Sequence, residues 1–412
     1  MTFKTKFWLR ISLINLLIVA LLGTLMRYKI GFSFPHFDQK HIQHAHSHFA
    51  FIGWITHTLF VLMVHKVQKR NLAINVGIYK KLISLNLICA YGMLIAFAAQ
   101  GYGLFSIIFL TLSVFTGFIF SYKMFKDLKS LRAQPYANWF TAGLWFGIIS
   151  SLGTFTLAFM MASHNFNSNI HLASLYFYLH FQYNGFFTFA CIGLLLANLP
   201  AHRMQESTNT LIFRLFFLSC IPAYFLSVLW VKIPIWLFVI VIIAAFVQLF
   251  AWLKLVKSLR SEIFTNPAFG KIGRNILIIV GMAITAKFIL QLGSTIPSVS
   301  NLAFGFRPII IAYLHLILLA IISVFLVTYL YIYKLIAVNK TATVGLIIFV
   351  VGVYLNEVVL GVQGIASFSY TMVPYANESL FGIAVLIVIG MGLLIASQFK
   401  EKYNTSLSTE IL

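Results

Sequence analysis

Apolar positions run along this chain in stretches of about 20 residues, separated by short polar segments. A helix of about 20 apolar residues is long enough to cross the hydrocarbon core of a bilayer. We therefore predict an all-α, polytopic membrane protein with about twelve transmembrane helices. Numbered 1 to 12, they cover roughly 7–27, 45–65, 80–100, 103–123, 136–161, 170–198, 209–230, 233–255, 273–294, 307–333, 341–363 and 377–398.

The composition excludes a soluble domain, because 61% of the residues are hydrophobic, 9% are charged and the mean hydropathy is +0.95. The helices leave no room for a long linker, so residues 1–412 are predicted to form a single transmembrane domain. The three cysteines, Cys89, Cys191 and Cys220, are scattered in apolar helices without disulfide or metal-ligand spacing. No nucleotide loop or nucleophile triad is present, which argues against a hydrolase or an ATPase.

The net charge of +21 would be compatible with a protein that binds nucleic acid, but the distribution of the basic residues indicates membrane topology. Most of the basic residues lie in the two termini and in the loops after helices 2, 4, 6, 8 and 10. Lys287 lies within helix 9, and the basic residues predicted on the opposite side are only Arg27, Lys29, Lys40, Lys232 and Arg307. This is the positive-inside pattern. It predicts a bacterial-type inner (plasma) membrane, both termini in the cytoplasm, a lipid bilayer as the partner and no nucleic acid.

One sequence pattern occurs three times, beginning at His48, His180 and His315. Each copy has a small residue five positions after the histidine and a hydroxyl eight positions after it. The small residues are Gly53, Gly185 and Ala320, and the hydroxyl residues are Thr56, Thr188 and Ser323. The histidines are 132 and 135 residues apart and lie on helices 2, 6 and 10. The alternative explanation is a chance match between apolar helices.

A second match supports a period of four helices, because Lys123 and Lys126 recur as Lys254 and Lys257 at the ends of helices 4 and 8. Four helices return the chain to the same side, so the repeats are predicted to be parallel, unlike the inverted repeats of many transporters. We predict three pseudo-repeated four-helix units. They cover 80–200, 208–334, and helices 11–12 together with helices 1–2.

The three histidines precede the predicted cytoplasmic boundaries, Lys66, His202 and Lys334, by 18 to 22 residues. They are therefore expected to share one layer in the outer third of the membrane. Neutral imidazole is the commonest protein metal ligand. Ligands from facing helices of a bundle can converge on one site. The pattern thus predicts metal or haem ligation, whereas a single buried histidine would more simply be a hydrogen-bonded structural residue.

Helix 2 carries further histidines on two faces. His41, His44 and His48 follow helical spacing and should share one face, and His46 and His57 should share another. Helix 6 adds His171. The two faces indicate either two ligand sites or one ligand site and a polar access region.

Two ionisable residues lie inside predicted spans, Lys287 on helix 9 and Glu357 on helix 11. Intramembrane charges are functional candidates. The two side chains could pair with each other, or they could belong to a proton path. Arg27 and Arg307 lie at the outer ends of their helices, where they could meet haem propionates or simply reach toward the interface.

Twelve helices, three pseudo-repeats and histidines on helices 2, 6 and 10 resemble the catalytic subunit I of the haem–copper oxidases, and the NnrS haem–copper membrane proteins are similar in size. The resemblance covers the whole chain through its architecture and short motifs. It implies His48 or His46 with His315 as ligands of a low-spin, b-type haem, and His180 as a copper ligand, with His171 and His44 nearby. Quinol or cytochrome c would be the electron donor.

The chain departs from that family at three places. Helix 6 reads His180-Phe-Gln instead of a His-Pro-Glu type sequence, helix 7 has no histidine, and helix 10 has only His315. The three histidines that usually bind copper in that family are not evident. The sequence therefore does not decide whether the chain is an oxidoreductase. The expected function is electron transfer or the handling of O2 or NO. The alternative is a proton-coupled transporter without haem, in which the histidines, Glu357 and Lys287 form the path.

Overall fold

The computed structural model describes residues 3–32, 34–199 and 205–407, and within them the chain is entirely helical. His202, which the depth estimate used, and Pro200, the last residue of one predicted unit, lie outside these ranges. The twelve long helices are α1 Thr5–Phe32, α2 Gln39–Arg70, α3 Val76–Gln100, α4 Leu104–Lys129, α5 Ala137–Ala162, α6 Ser168–Leu196, α7 Glu206–Cys220 continuing as Pro222–Val228, α8 Ile235–Thr265, α9 Gly270–Gly293, α10 Arg307–Ile332, α11 Lys340–Phe368 and α12 Ala376–Leu407. A short helix, Pro297–Gly305, connects α9 to α10.

Eleven helices of the described chain are long and apolar enough to cross a membrane, and α7 makes twelve if its two parts form one span. The two parts of α7 meet at an angle of 42°. Pro222 begins the second part and lacks a backbone N–H, so the hydrogen-bond ladder of an α-helix cannot continue through it. The prediction of an all-helical polytopic membrane protein with about twelve helices is confirmed.

The start of α1 and the later part of α12 lie on one side of the bundle, where the guanidinium of Arg10 lies 5.8 Å from the ring centroid of Phe399. We call this the inner side and the opposite side the outer side. Helices α11 and α12 pack closely together, and α12 also packs against α1. The first and last helices are therefore neighbours. The division into three repeated units stays a prediction.

The contact between α11 and α12 depends on glycines. A Cβ atom on Gly390 would lie 2.5 Å from the backbone nitrogen of Phe349, and one on Gly345 would lie 2.8 Å from the carbonyl oxygen of Gly390. Small residues let membrane helices approach until their backbones touch, which increases van der Waals contact where no hydrophobic force acts between helices.

Helices α2, α6 and α10 meet in the interior of the bundle. Phe51 and Phe60 of α2 contact Phe187 and Phe186 of α6 at ring-centroid distances of 5.5 and 6.1 Å. The indole nitrogen of Trp54 on α2 donates a hydrogen bond to the hydroxyl of Ser323 on α10, at 2.8 Å. These are the three helices that carry the repeated histidines.

The same helices are joined again on the inner side. Lys66 of α2 donates to the side-chain oxygen of Asn198, just after α6, and the amide of Asn198 donates to the hydroxyl of Tyr329 on α10, at 2.6 Å. The Lys66 ammonium also lies 5.5 Å from the ring centroid of Tyr333. Lys66, Asn198 and Tyr333 each lie 18 residues after a repeated histidine. We call this set, with Tyr329, the inner junction.

Asp38 marks the start of α2, where its carboxylate accepts hydrogen bonds from the backbone nitrogens of Lys40 and His41 at 2.8 and 3.0 Å. The first N–H groups of a helix have no partner within the helix, so an aspartate at this position stabilises the helix end. The hydrogen bond from His41 lowers the pKa of Asp38 below its ordinary value. The outer end of the histidine-rich helix is thereby fixed.

Candidate functional site

A π-helical segment follows each of the three repeated histidines. The segments are Phe49–Thr56, Phe181–Phe187 and Leu316–Ser323. In two of them the hydroxyl eight residues after the histidine helps to close the wide turn. Thr188 donates to the carbonyl of Tyr183 at 2.6 Å, and Ser323 to the carbonyl of Leu318 at 2.7 Å. Each of these hydrogen bonds spans five residues, the spacing of a π-helix. The repeated pattern therefore marks a repeated break in α-helical geometry.

The π-helical segments leave backbone carbonyls for other helices. The N–H groups of His57 and Val324 bond to carbonyls three and five residues back, and so pass over Gly53 and Ala320. The carbonyl of Gly53 accepts instead from the amide of Asn15 on α1 at 2.5 Å. The carbonyl of Ala320 accepts from the hydroxyl of Tyr354 on α11 at 3.0 Å. The small residue of the repeat thus lies where a neighbouring helix donates to the backbone.

We expect Tyr354→Phe to lower the free energy of unfolding by about 1–2 kcal/mol, because the buried carbonyl of Ala320 would lose its side-chain donor. Thermal unfolding of the purified protein in detergent would measure the change. Tyr375→Phe is the matched control, since Tyr375 is largely exposed. Equal unfolding temperatures for the two variants would contradict the role of this hydrogen bond.

His41, His44 and His48 lie along one face of α2, as their spacing predicts. The His48 ring stacks on Phe97 of α3 at a centroid distance of 4.3 Å, and its Nε2 lies 3.1 Å from the hydroxyl of Tyr102. The His44 ring contacts Tyr102 edge-on at 4.7 Å. This face is therefore directed toward the outer end of α3, and the contacts of His48 are aromatic and phenolic.

His46 and His57 lie on the other face, against α1. The Nδ1 of His46 is 3.1 Å from the carbonyl of Val19, and the Nε2 of His57 is 3.4 Å from the carbonyl of Trp8. The His46 ring also lies beside Gly23, where an added Cβ would come within 3.4 Å of it. A carbonyl can only accept, so the Nδ1 of His46 carries the proton in this hydrogen bond.

His315 on α10 shows the same arrangement as His46. Its Nδ1 lies 2.9 Å from the carbonyl of Ile311, one turn earlier. Within the described chain, no hydrogen bond is made by the Nε2 of either His46 or His315. The two imidazoles lie within electrostatic range of each other, and Arg27 of α1 lies within range of both. Two imidazoles whose Nε2 atoms make no hydrogen bond are thus present on α2 and α10.

Charged side chains border this pair, which we call the histidine pair. Arg27 interacts with Glu357 of α11, whose carboxylate accepts a hydrogen bond from the neighbouring Asn356 at 3.1 Å. On the outer side, Arg307 donates to the side-chain oxygen of Gln43 at 3.0 Å and so links α10 to α2. The outer part of α10 packs chiefly on α11. The two helices that carry the pair are therefore joined there by long side chains.

His180 is buried and its two ring nitrogens are both engaged. Its Nε2 donates to the carbonyl of Cys220 at 2.8 Å, where α7 ends before Pro222. The amide nitrogen of Asn184 lies 3.1 Å from its Nδ1 and donates to it. No lone pair is left for a metal in this arrangement. His180 instead provides a hydrogen-bonded link between α6 and the break in α7.

The three residues that the resemblance assigns to copper contact different parts of the bundle. His180 is bonded to α7, His44 lies against Tyr102, and His171 lies beside Phe166, with the ring centroids 5.2 Å apart. Across residues 3–32, 34–199 and 205–407, no three side chains of His, Cys, Asp or Glu are grouped as a metal site requires. Copper binding at these residues stays a prediction.

Lys287 and Glu357 lie in different surroundings. Lys287 interacts electrostatically with His180 and Cys220, whereas Glu357 interacts with Arg27. The sequence left open that the two residues pair; in the structure each has other neighbours. Sequence reasoning did not identify Asn15, Tyr354 or the inner junction, because these residues act through contacts between distant helices.

No protein-family model and no curated protein matches this chain.

Proposed function

We propose that this membrane protein holds one b-type haem between α2 and α10, with His46 and His315 as the axial ligands, and that it transfers electrons. The matched geometry of the histidine pair carries the proposal. In each imidazole Nδ1 donates to a backbone carbonyl and leaves the Nε2 lone pair free. Ligating histidines nearly always donate their other ring N–H in this way, which fixes the ring and raises its basicity.

The charges around the pair suit the proposed ligand. The propionate groups of a haem are anionic, and Arg27 interacts with both histidines. Arg307 lies further toward the outer side, where it already reaches across to α2. Arginine presents a planar fork of donors that matches a carboxylate. The pairing of helices 2 and 10 also agrees with what the resemblance to oxidase subunit I implies, with His46 in the place of His48.

Two axial histidines favour electron transfer over the chemistry of O2 or NO. A bound haem supplies a one-electron couple at its iron, and the protein sets its potential through axial ligands, second-shell hydrogen bonds and burial. With both His46 and His315 bound to it, the haem would offer no site for a gas. His180 does not offer a second one, because both of its ring nitrogens are hydrogen-bonded. The role of this chain would then be to orient and insulate the redox group.

The test is the dithionite-reduced minus oxidised spectrum of the protein purified in detergent, with iron and copper analysis of the same sample. We expect sharp reduced α and Soret bands, close to one iron per chain and no stoichiometric copper. A folded, colourless protein from cells supplied with haem would overturn the proposal. The histidine pair, Arg27 and Glu357 would then be assigned to the proton path of a transporter.

A further inference from the structure

Lys287 is a buried lysine in α9 that forms no ion pair with any carboxylate of the described residues. Its side chain is 5% exposed, and its ammonium lies 4.1 Å from the ring centroid of Phe288. An isolated charge in the interior of a membrane protein is costly unless an opposite charge or a polar cavity compensates for it. The surroundings of Lys287 should therefore contain the compensating group.

The described side chains supply no carboxylate for this purpose. Of the acids among them, Glu357 is the only one in the middle of a span, and it interacts with Arg27. The electrostatic neighbours of Lys287 are His180 and Cys220. The Nε2 proton of His180 is already bonded to the carbonyl of Cys220. A counter-ion for Lys287 would therefore have to come from outside the described part of the chain.

Polar residues continue from Lys287 along α9 toward its outer end. Gln291 and Ser294 follow the lysine at intervals of four and three residues, which places all three on one face of α9. Gln291 is buried, and its side-chain oxygen has no hydrogen-bond partner. Ser294 lines a cavity of about 210 Å³ between the ends of α7 and α9 and the start of α8. The cavity is large enough for several water molecules or small ions.

The groups around this cavity favour an anion. The hydroxyl of Ser300, which lines it, is a buried donor without a partner among the described residues. No acidic residue lines the cavity, and Lys232 lies in the loop beside it. The amide of Gln291 can rotate to present its N–H groups, since amide orientations are assigned from their partners.

We propose that Lys287 binds a small monovalent inorganic anion, of the size of chloride, that enters from the outer side through this cavity. The lysine ammonium is a compact point charge with three donors, which suits a small spherical ion better than a planar carboxylate. Gln291 lies between the cavity and the charge and would bind the ion on its way in. The site is separate from the histidine pair, so it does not depend on whether haem is bound.

The experiment measures the thermal unfolding midpoint of the purified protein in sodium chloride, sodium bromide and sodium gluconate at equal ionic strength. Gluconate is too large for the site. We expect chloride and bromide to raise the midpoint in a saturable way, since a ligand that binds only the folded state stabilises it. The rise should be absent in Lys287→Met and retained in Lys271→Met, which removes an exposed lysine from the same helix.

A second variant covers the case in which Lys287→Met does not fold. Gln291→Leu keeps the lysine and should weaken the dependence on chloride at least several-fold. Bromide would also give an anomalous diffraction signal next to Lys287 in crystals. The proposal is overturned if the wild type has the same unfolding midpoint in chloride and in gluconate. That result is expected of an uncharged lysine that binds no anion. It is equally overturned if Lys287→Met keeps the full dependence on chloride.

Discussion

Alanine in place of His46 or His315 is expected to remove the sharp low-spin α band of the reduced protein and to shift or remove its Soret band, whereas His48→Ala should keep both bands unchanged. Each of the first two variants loses an axial nitrogen, and a bis-histidine haem that loses one ligand becomes high-spin or dissociates. His48 packs on Phe97 and Tyr102 and lies on the other face of α2. Visible spectra and haem content per folded protein would measure the difference.

His57→Ala is the matched control, because His57 also lies on the face of α2 toward α1 and bonds to a backbone carbonyl. It should lose stability without losing haem. Imidazole added to His46→Ala should restore part of the low-spin spectrum, which a purely structural role of His46 would not predict. If His48→Ala alone lost the bands, the axial ligand would be His48 and the assignment to His46 would be wrong.

Gly390→Ala is expected to destabilise the folded protein by about 3 kcal/mol, the upper end of the usual cost of overpacking. The added methyl group would lie 2.5 Å from the backbone nitrogen and 2.9 Å from the Cα atom of Phe349. A backbone cannot turn aside as a side chain can, so α11 and α12 would have to separate. Thermal or denaturant unfolding in detergent would measure the loss.

Gly392→Ala serves as the control on the same helix, since a Cβ atom there meets nothing within 4 Å. It should be neutral or slightly stabilising, because alanine favours helix over glycine by about 1 kcal/mol. Similar losses in both variants would mean that helix propensity or lipid contact, and not the glycine seam, determines the stability of this region.

The sequence was sufficient to predict the helices, whereas the common layer of the repeated histidines stays a prediction. Hydrophobic length fixes where helices cross a bilayer. The spacing within α2 also predicted its two faces correctly: His44 and His48 lie against Tyr102, and His46 and His57 against α1. These are local properties, since each depends only on residues of one helix.

The choice between His48 and His46 could not be made from the repeat alone. The pattern aligned His48 with His315, but His46 is the residue that interacts with His315. A shared sequence pattern on two helices does not determine which neighbours its residues contact. Which two histidines meet depends on how α1, α2 and α10 pack, and their partners Asn15 and Val19 lie far away in the sequence.

The repeated π-helical segments have a consequence for how such a protein can change. A π turn holds one more residue than the α turn it replaces, and one residue corresponds to about 100° of rotation around a helix. Loss of one residue within Leu316–Ser323 would therefore restore α spacing and leave His315 and the inner junction in register, whereas the same loss in an α-helical part would rotate them apart by about 100°. Each segment thus absorbs a change of length that an α-helix would convert into a rotation. Single-residue deletions there would shorten the helix without changing the direction of the histidine on its outer half.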